Sequence, residues 1–86
     1  MIILWHRKFK KSFKKTPDNI KDKFDSCMEI FLEDKFDYRL HNHALIGKYS
    51  GLNSINITGD WRVIYKEIDA STVTMMDIGT HSQLYG

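Results

Sequence analysis

Two short stretches, Ser54-Ile55-Asn56-Ile57 and Trp61 to Lys66 (WRVIYK), flank Thr58-Gly59-Asp60 and constrain this chain more than any other part of it. Both alternate polar and apolar residues, the period of a strand with one buried face, and only Ile64 breaks the pattern. Parity then decides the turn. A two-residue loop puts Ile55 and Ile57 on the opposite face from Val63 and Tyr65, whereas a three-residue loop keeps all four together, as a sheet covered on one side requires. The spacing therefore predicts a hairpin with an odd-length loop and with Gly59 at positive φ. Ser54, Asn56, Arg62 and Lys66 then share the other face, and Trp61 falls on the core side at the rim.

The flanking segments supply what covers that sheet. Met1 to Trp5 is apolar and too short for a stable helix, so it is expected as a first strand. From Arg7, Phe9 and Phe13 stand at i, i+4 with lysines between, which places both rings on one helix face. Thr16-Pro17-Asp18 ends that helix and starts a second, with threonine suited to the N-cap and proline to the first turn. Ile20, Phe24, Cys27, Met28 and Phe31 stripe one side of the second helix through about residue 34. Cys27 lies in that stripe and is expected in the core, without chemistry. Asp34 to Asn42 loses both periods and reads as a loop carrying Tyr38, Arg39 and His41. Gly47 and Gly51 mark a strand start or tight bend, Thr72 to Ile78 a last strand, and Ser82 to Gly86 one helical turn or an irregular tail. The expectation is an α+β fold over residues 1–86 as one domain: a short N-terminal strand and a two-helix hairpin on one face of an antiparallel sheet of about four strands, the second face free.

Charge is distributed unevenly. Arg7 to Lys15 holds six basic residues and no acid, while the rest of the chain has seven basic and eleven acidic groups. Such a cluster steers polyanions, or is simply a solvated helix face. No apolar run approaches a membrane span, the MIILW start lacks secretory order, and the lone Cys27 fits a reducing compartment; a cytoplasmic protein with no membrane partner is expected. Glycine-rich phosphate loops, zinc knuckles and serine-hydrolase elbows are absent, and His41-Asn42-His43 lacks further ligands at metal-site spacing, so neither metal nor cofactor is expected.

What the residues do offer is His43, Asp60, Trp61, Arg62, His81 and Tyr85, with Lys48 and Lys66 near them in sequence. Cleaving an RNA phosphodiester by its neighbouring 2′-hydroxyl needs a base, a cation for the charged phosphorane and an acid for the leaving oxygen. Histidine suits both proton roles and arginine's fork suits phosphate, while exposed aromatic rings stack splayed bases. Each of these residues also has a purely structural use, Trp61 in hairpin packing, Asp60 in the turn, Arg62 as a cross-strand partner, and either histidine as a hydrogen-bonding group.

His43-Ala44-Leu45, Gly47-x-Tyr49-x-Gly51, Gly59-Asp60-Trp61-Arg62-x-Ile64-Tyr65-Lys66 and Ile78-Gly79-Thr80-His81-Ser82-x-Leu84-Tyr85 together resemble the YafQ-type branch of the RelE/ParE toxin superfamily. The resemblance is detailed in the C-terminal half and limited to element pattern in the N-terminal half. It implies a toxin of a type II toxin-antitoxin pair, an endoribonuclease that cuts mRNA on the 70S ribosome without a metal ion. Its implied partners are a cognate antitoxin and, only through that complex, operator DNA. By resemblance His43, Asp60, His81 and Tyr85 are catalytic together with Arg62. Trp61 is functional by the same resemblance, and Lys48, Lys66 and Asn56, near it in sequence or on the same face, are expected to contact RNA beside it, with Arg7, Lys8 and Lys11 of the basic cluster on ribosomal RNA. Asn56 stands where the YafQ type has a histidine, and Ser54 supplies no replacement cation. Two other readings are a ParE-like DNA gyrase inhibitor and a non-catalytic RNA-binding relative.

Overall fold

The computed structural model describes all residues, Met1–Gly86. Its elements run β1 (Ile2–Trp5), α1 (Arg7–Lys14), α2 (Asp18–Glu33), a 3-10 turn (Tyr38–Leu40), β2 (His43–Ala44), a second 3-10 turn (Gly47–Tyr49), β3 (Asn53–Asn56), β4 (Trp61–Asp69), β5 (Thr72–Thr80) and α3 (His81–Tyr85). One five-stranded sheet forms in the order β1-β5-β4-β3-β2. No helix is long and apolar enough to cross a membrane.

The α+β architecture and the helical hairpin over one sheet face follow the expectation, and the sheet is larger and more mixed. β1 pairs in parallel with β5, Ile2 opposite Thr72, while the other neighbours are antiparallel. The fifth strand is β2, two residues long and beyond the reach of any periodicity.

The parity inference holds in the register. Ile55 faces Val63 and Asn56 faces Arg62, and the Ile57 N–H donates to the Trp61 carbonyl at 2.8 Å, leaving Thr58, Gly59 and Asp60 as the loop. Gly59 is not at positive φ; the left-handed glycines inside the chain are Gly47 and Gly51 (φ 68° and 91°). The Thr58 hydroxyl instead closes the turn, accepting from the Asp60 and Trp61 N–H groups at 3.2 and 3.0 Å.

Phe9, Ile20, Phe24, Met28 and Phe31 from the two helices pack against Leu40 and the sheet residues Ile55, Ile57, Val63, Tyr65, Val73, Met75 and Ile78. Phe31 meets Tyr65 edge-on at 5.2 Å between ring centroids, and both are fully buried. Trp61 is partly buried against this core, as its rim position requires. Thr16 does not cap α2. Pro17 occupies the N-cap with no side-chain bond, and the buried Thr16 hydroxyl donates back to the Ser12 carbonyl at 3.0 Å, closing α1. Cys27 borders the core, and burial pushes its thiol pKa up, away from the reactive thiolate.

The second face is not free. Ser54 and Ile64 lie on it and are buried, as is Leu84 of α3. α3 folds back over β5 so closely that a Cβ on Gly79 would meet Leu84 Cγ at 3.3 Å and the Gln83 side chain at 3.1 Å. The Ile64 breach in the alternation thus fills a second, smaller apolar patch.

Candidate functional site

β2 pairs His43 directly with Ser54 of β3, which turns both side chains to the face away from α1 and α2. The Tyr85 hydroxyl donates to Ser54 Oγ at 3.2 Å, and the Tyr85 ring lies 4.9 Å from the His81 ring, one turn back along α3. A strand pairing from His43 to Ser54 and side-chain contacts from Ser54 through Tyr85 to His81 therefore join residues far apart in sequence. Tyr49 completes the wall: its hydroxyl donates to the Leu84 carbonyl at 2.6 Å and its ring meets Tyr85 edge-on at 5.7 Å.

α3 owes its position to two local devices. Thr80 and Gln83 form a capping box, with the Thr80 hydroxyl accepting from the Gln83 N–H at 3.2 Å and the Gln83 side chain accepting from the Thr80 N–H at 2.8 Å. The His81 N–H donates to the Asp60 carbonyl at 2.9 Å, tying the helix start to the hairpin loop. His81 and Asp60 are exposed side chains at this junction, and Trp61 pairs with Thr80 beside it.

His43 is exposed, and its Nδ1 faces the His41 carbonyl at 2.8 Å. A carbonyl accepts only, so Nδ1 carries the proton and Nε2 of the neutral ring keeps its lone pair. Arg62 lies between Asn56 and Gly79 on the same face, and its Nη2 donates to the Gly59 carbonyl at 2.8 Å. Arg62 Nε and Asn56 Oδ1 are buried without partners, a donor and an acceptor on directly paired residues. Such orphaned atoms mark a place where an incoming group or a small side-chain rotation gains a hydrogen bond.

Lys48 joins the cluster at its margin, with Nζ 5.2 Å from the Tyr49 ring centroid. Lys66 shares the face but stands four residues along β4 from Arg62, about 13 Å away. Arg7, Lys8 and Lys11 are exposed on α1, which packs along β5, across the sheet from His43 on β2; Lys8 is in an ion pair with Asp77 at 3.4 Å. The structure thus gathers His43, Asp60, His81, Tyr85, Arg62 and Asn56, with Trp61 at the rim, and on the other side of Trp61 the Lys8 and Lys15 side chains of the basic helix line a pocket with Gln83 and Leu84. Sequence reasoning gave no role to Ser54, Tyr49 or His41. Tyr49 stood in a quoted motif and Thr80-x-x-Gln83 is a capping-box pattern; His41 offered no signal. No group of three or more histidine, cysteine, aspartate and glutamate side chains is arranged to hold a metal ion.

Comparison with solved structures shows the same fold at low sequence identity. YafQ from E. coli strain BL21(DE3) superposes with a TM-score of 0.83 at 20% identity, covering 98% of this chain and 97% of that one. YafQ in the E. coli DinJ-YafQ toxin-antitoxin complex gives 0.80 at 22% identity, over 98% and 96%. A metal-bound toxin from Helicobacter pylori gives 0.75 at 20% identity, over 99% of each chain. Among curated proteins none matches the sequence. The family model described as bacterial toxin of type II toxin-antitoxin system, YafQ, matches residues 1–86. With the fold shared and the family model matched along its whole length, the chain belongs to the YafQ family of type II toxins.

Proposed function

We propose that this toxin is a ribosome-dependent endoribonuclease that cuts mRNA by attack of the 2′-hydroxyl on the adjacent phosphodiester. The observation that carries the reading is the strand pairing of His43 with Ser54 and the contacts from Ser54 through Tyr85 to His81, which bring two proton carriers to one polar side of the sheet. His43 Nε2, with its lone pair free, takes the 2′-hydroxyl proton. The 2′ oxygen bonds to phosphorus, the bond to the 5′ oxygen breaks, and His81 protonates that leaving oxygen. A 2′,3′-cyclic phosphate and a 5′-hydroxyl result, and exchange with water resets both imidazoles. Arg62, held by the Gly59 carbonyl with Nε still unpaired, stabilises the phosphorane, with Lys48 adding charge at the margin. Asp60 seats His81 through its carbonyl, Tyr85 buttresses the His81 ring, and Trp61 offers an edge to a base. Arg7, Lys8 and Lys11 face ribosomal RNA, and Lys66 extends the RNA track.

The test is direct. Protein stripped of bound metal and added, in magnesium buffer free of transition metals, to ribosomes carrying a defined mRNA is expected to yield new 5′-hydroxyl ends opposite cyclic phosphates. Intact mRNA in the presence of correctly folded protein overturns the reading.

A cognate antitoxin restrains the toxin, and operator DNA is bound only through that complex. The outer edge of β1 has no strand beside it, and Met1, Ile2, Leu4 and Trp5 are exposed there. A groove of about 470 Å³ adjoins it, lined by Trp5, Phe9, Phe13 and Phe24 with Lys10, Lys14 and a single acid, Asp25. An open apolar edge needs covering, and an extended antitoxin segment with apolar and acidic side chains fits both edge and groove.

A further inference from the structure

Only one non-glycine residue in the chain has positive φ: His41, at φ 49° and ψ 44°. This left-handed conformation disfavours any L side chain and persists where the surroundings over-determine it. The surroundings here do so. On one side the Asp37 carboxylate accepts from the Arg39 N–H at 3.0 Å and from the Arg39 guanidinium at 3.0 and 2.9 Å, and Leu40 is fully buried. On the other, Asn42 Nδ2 donates to the Lys35 carbonyl at 2.9 Å and to the Tyr65 hydroxyl at 2.6 Å. Between these anchors the chain reverses at His41, whose N–H closes the 3-10 turn on the Tyr38 carbonyl at 3.3 Å and whose own carbonyl meets His43 Nδ1 at 2.8 Å. The His41 ring is exposed and makes no hydrogen bond of its own, so its backbone is what acts on the site.

We propose that His41 is a positioning residue: its left-handed backbone delivers the carbonyl that holds His43 in the Nδ1–H tautomer and so makes Nε2 the base. The inference rests on the reading that His43 takes the 2′-hydroxyl proton, and it adds what fixes the tautomer. Without such an acceptor an imidazole on an exposed edge strand mixes both tautomers, and only one of them has its lone pair at Nε2. The geometry also gives a use to the strained backbone found two positions before a candidate base.

Nitrogen-15 spectra of histidine-labelled protein, recorded where the imidazoles are neutral, read the tautomer without any RNA. His43 in the unaltered protein is expected to show a protonated Nδ1 and an unprotonated Nε2. His41→Gly, which adopts the left-handed backbone freely, is expected to keep that signature and full cleavage. His41→Val, whose branched side chain resists it, is expected to lose the tautomer preference and to slow cleavage of ribosome-bound mRNA about tenfold. His41→Ala, milder and read in the same way, is expected to fall between the two and serves if the valine variant does not fold. A protonated Nε2 on His43 in the unaltered protein, or an unchanged signature in the folded valine and alanine variants, overturns the proposal. Failure of the unaltered protein to cut RNA overturns the catalytic reading and leaves the tautomer measurement standing.

Discussion

Beneath α1 and α2 the sheet presents Ile55, Ile57, Val63, Tyr65, Val73, Met75 and Ile78 to Phe24, Met28 and Phe31, a layer in which nearly every side chain is apolar and closed off. The opposite face of the same strands carries Ser54, Asn56, Arg62, Ile64 and Lys66, and is covered only in part, by the five residues of α3, Tyr85 among them, and by Tyr49. Alternation along β3 and β4 builds both faces at once, so a substitution is diagnostic of the face it reaches. Changes on the first should unfold the protein, whereas changes on the second should spare the fold and disable the chemistry.

The sharpest test of that division is His81→Ala. The ring is exposed and its backbone bond to Asp60 survives truncation, so the unfolding midpoint should move little. Cleavage of ribosome-bound mRNA should fall by about 10²- to 10⁴-fold if His81 supplies the leaving-group proton. An unchanged rate would remove His81 from the mechanism. On the other face Phe31→Ala deletes a fully buried ring packed edge-on against Tyr65, and a loss of about 3–5 kcal/mol is expected by urea unfolding. A loss below about 1 kcal/mol would mean that the layer beneath the helices collapses into the space and is less rigidly packed than its burial implies.

How much of this division was legible in the sequence differs between the faces. The core face was readable because burial imposes a period: Phe9 and Phe13 on α1, and Phe24, Met28 and Phe31 on α2, recur at helical spacing, and Ile55, Ile57, Val63 and Tyr65 obey the parity of an odd loop. The closure of the second face was not, because it depends on contacts between distant segments. Ile64 was an unexplained breach until Leu84 came to rest on the same face, and Ser54 looked inert until Tyr85 reached it across the sheet. β2 was too short to carry a pattern, and the parallel pairing of β1 with β5 is a long-range choice that no local window contains. The candidate residues themselves were proposed from type and motif; what holds His43 and His81 in place, the His41 carbonyl and the Asp60 carbonyl, is backbone and leaves no trace in residue identity.

Tyr85→Phe sits where the two behaviours should mix. It removes the hydroxyl bonded to Ser54 and keeps the ring against His81 and Tyr49. Ser54 Oγ is then left buried without its donor, so a loss of about 1 kcal/mol in urea unfolding is expected. Cleavage should drop by less than in His81→Ala, because the ring still supports the imidazole. A drop as deep as that of His81→Ala would instead give the hydroxyl a direct part in the chemistry.

The smallest expected effect concerns the loop that serves both faces at once, burying Leu40 in the core and sending His43 to the polar side. Asp37 holds that loop at the surface, and hydrogen bonds from the side chain and backbone of Arg39 lower its carboxyl pKa from 3.8 to about 2. A carboxylate depressed in the folded state stabilises it above the unfolded pKa, and that contribution is lost as pH falls through the folded value. Asp37→Asn keeps an oxygen for the Arg39 N–H and removes the charge. Its urea midpoint should lie slightly below that of the unaltered protein at neutral pH, and the gap should close as pH falls from 3.8 towards about 2. The gap should also narrow with added salt, since the pair lies at the surface. A gap that survives at the lowest pH would assign the difference to the lost geometry of the turn, and the His43 tautomer in the same variant would then be expected to shift with it.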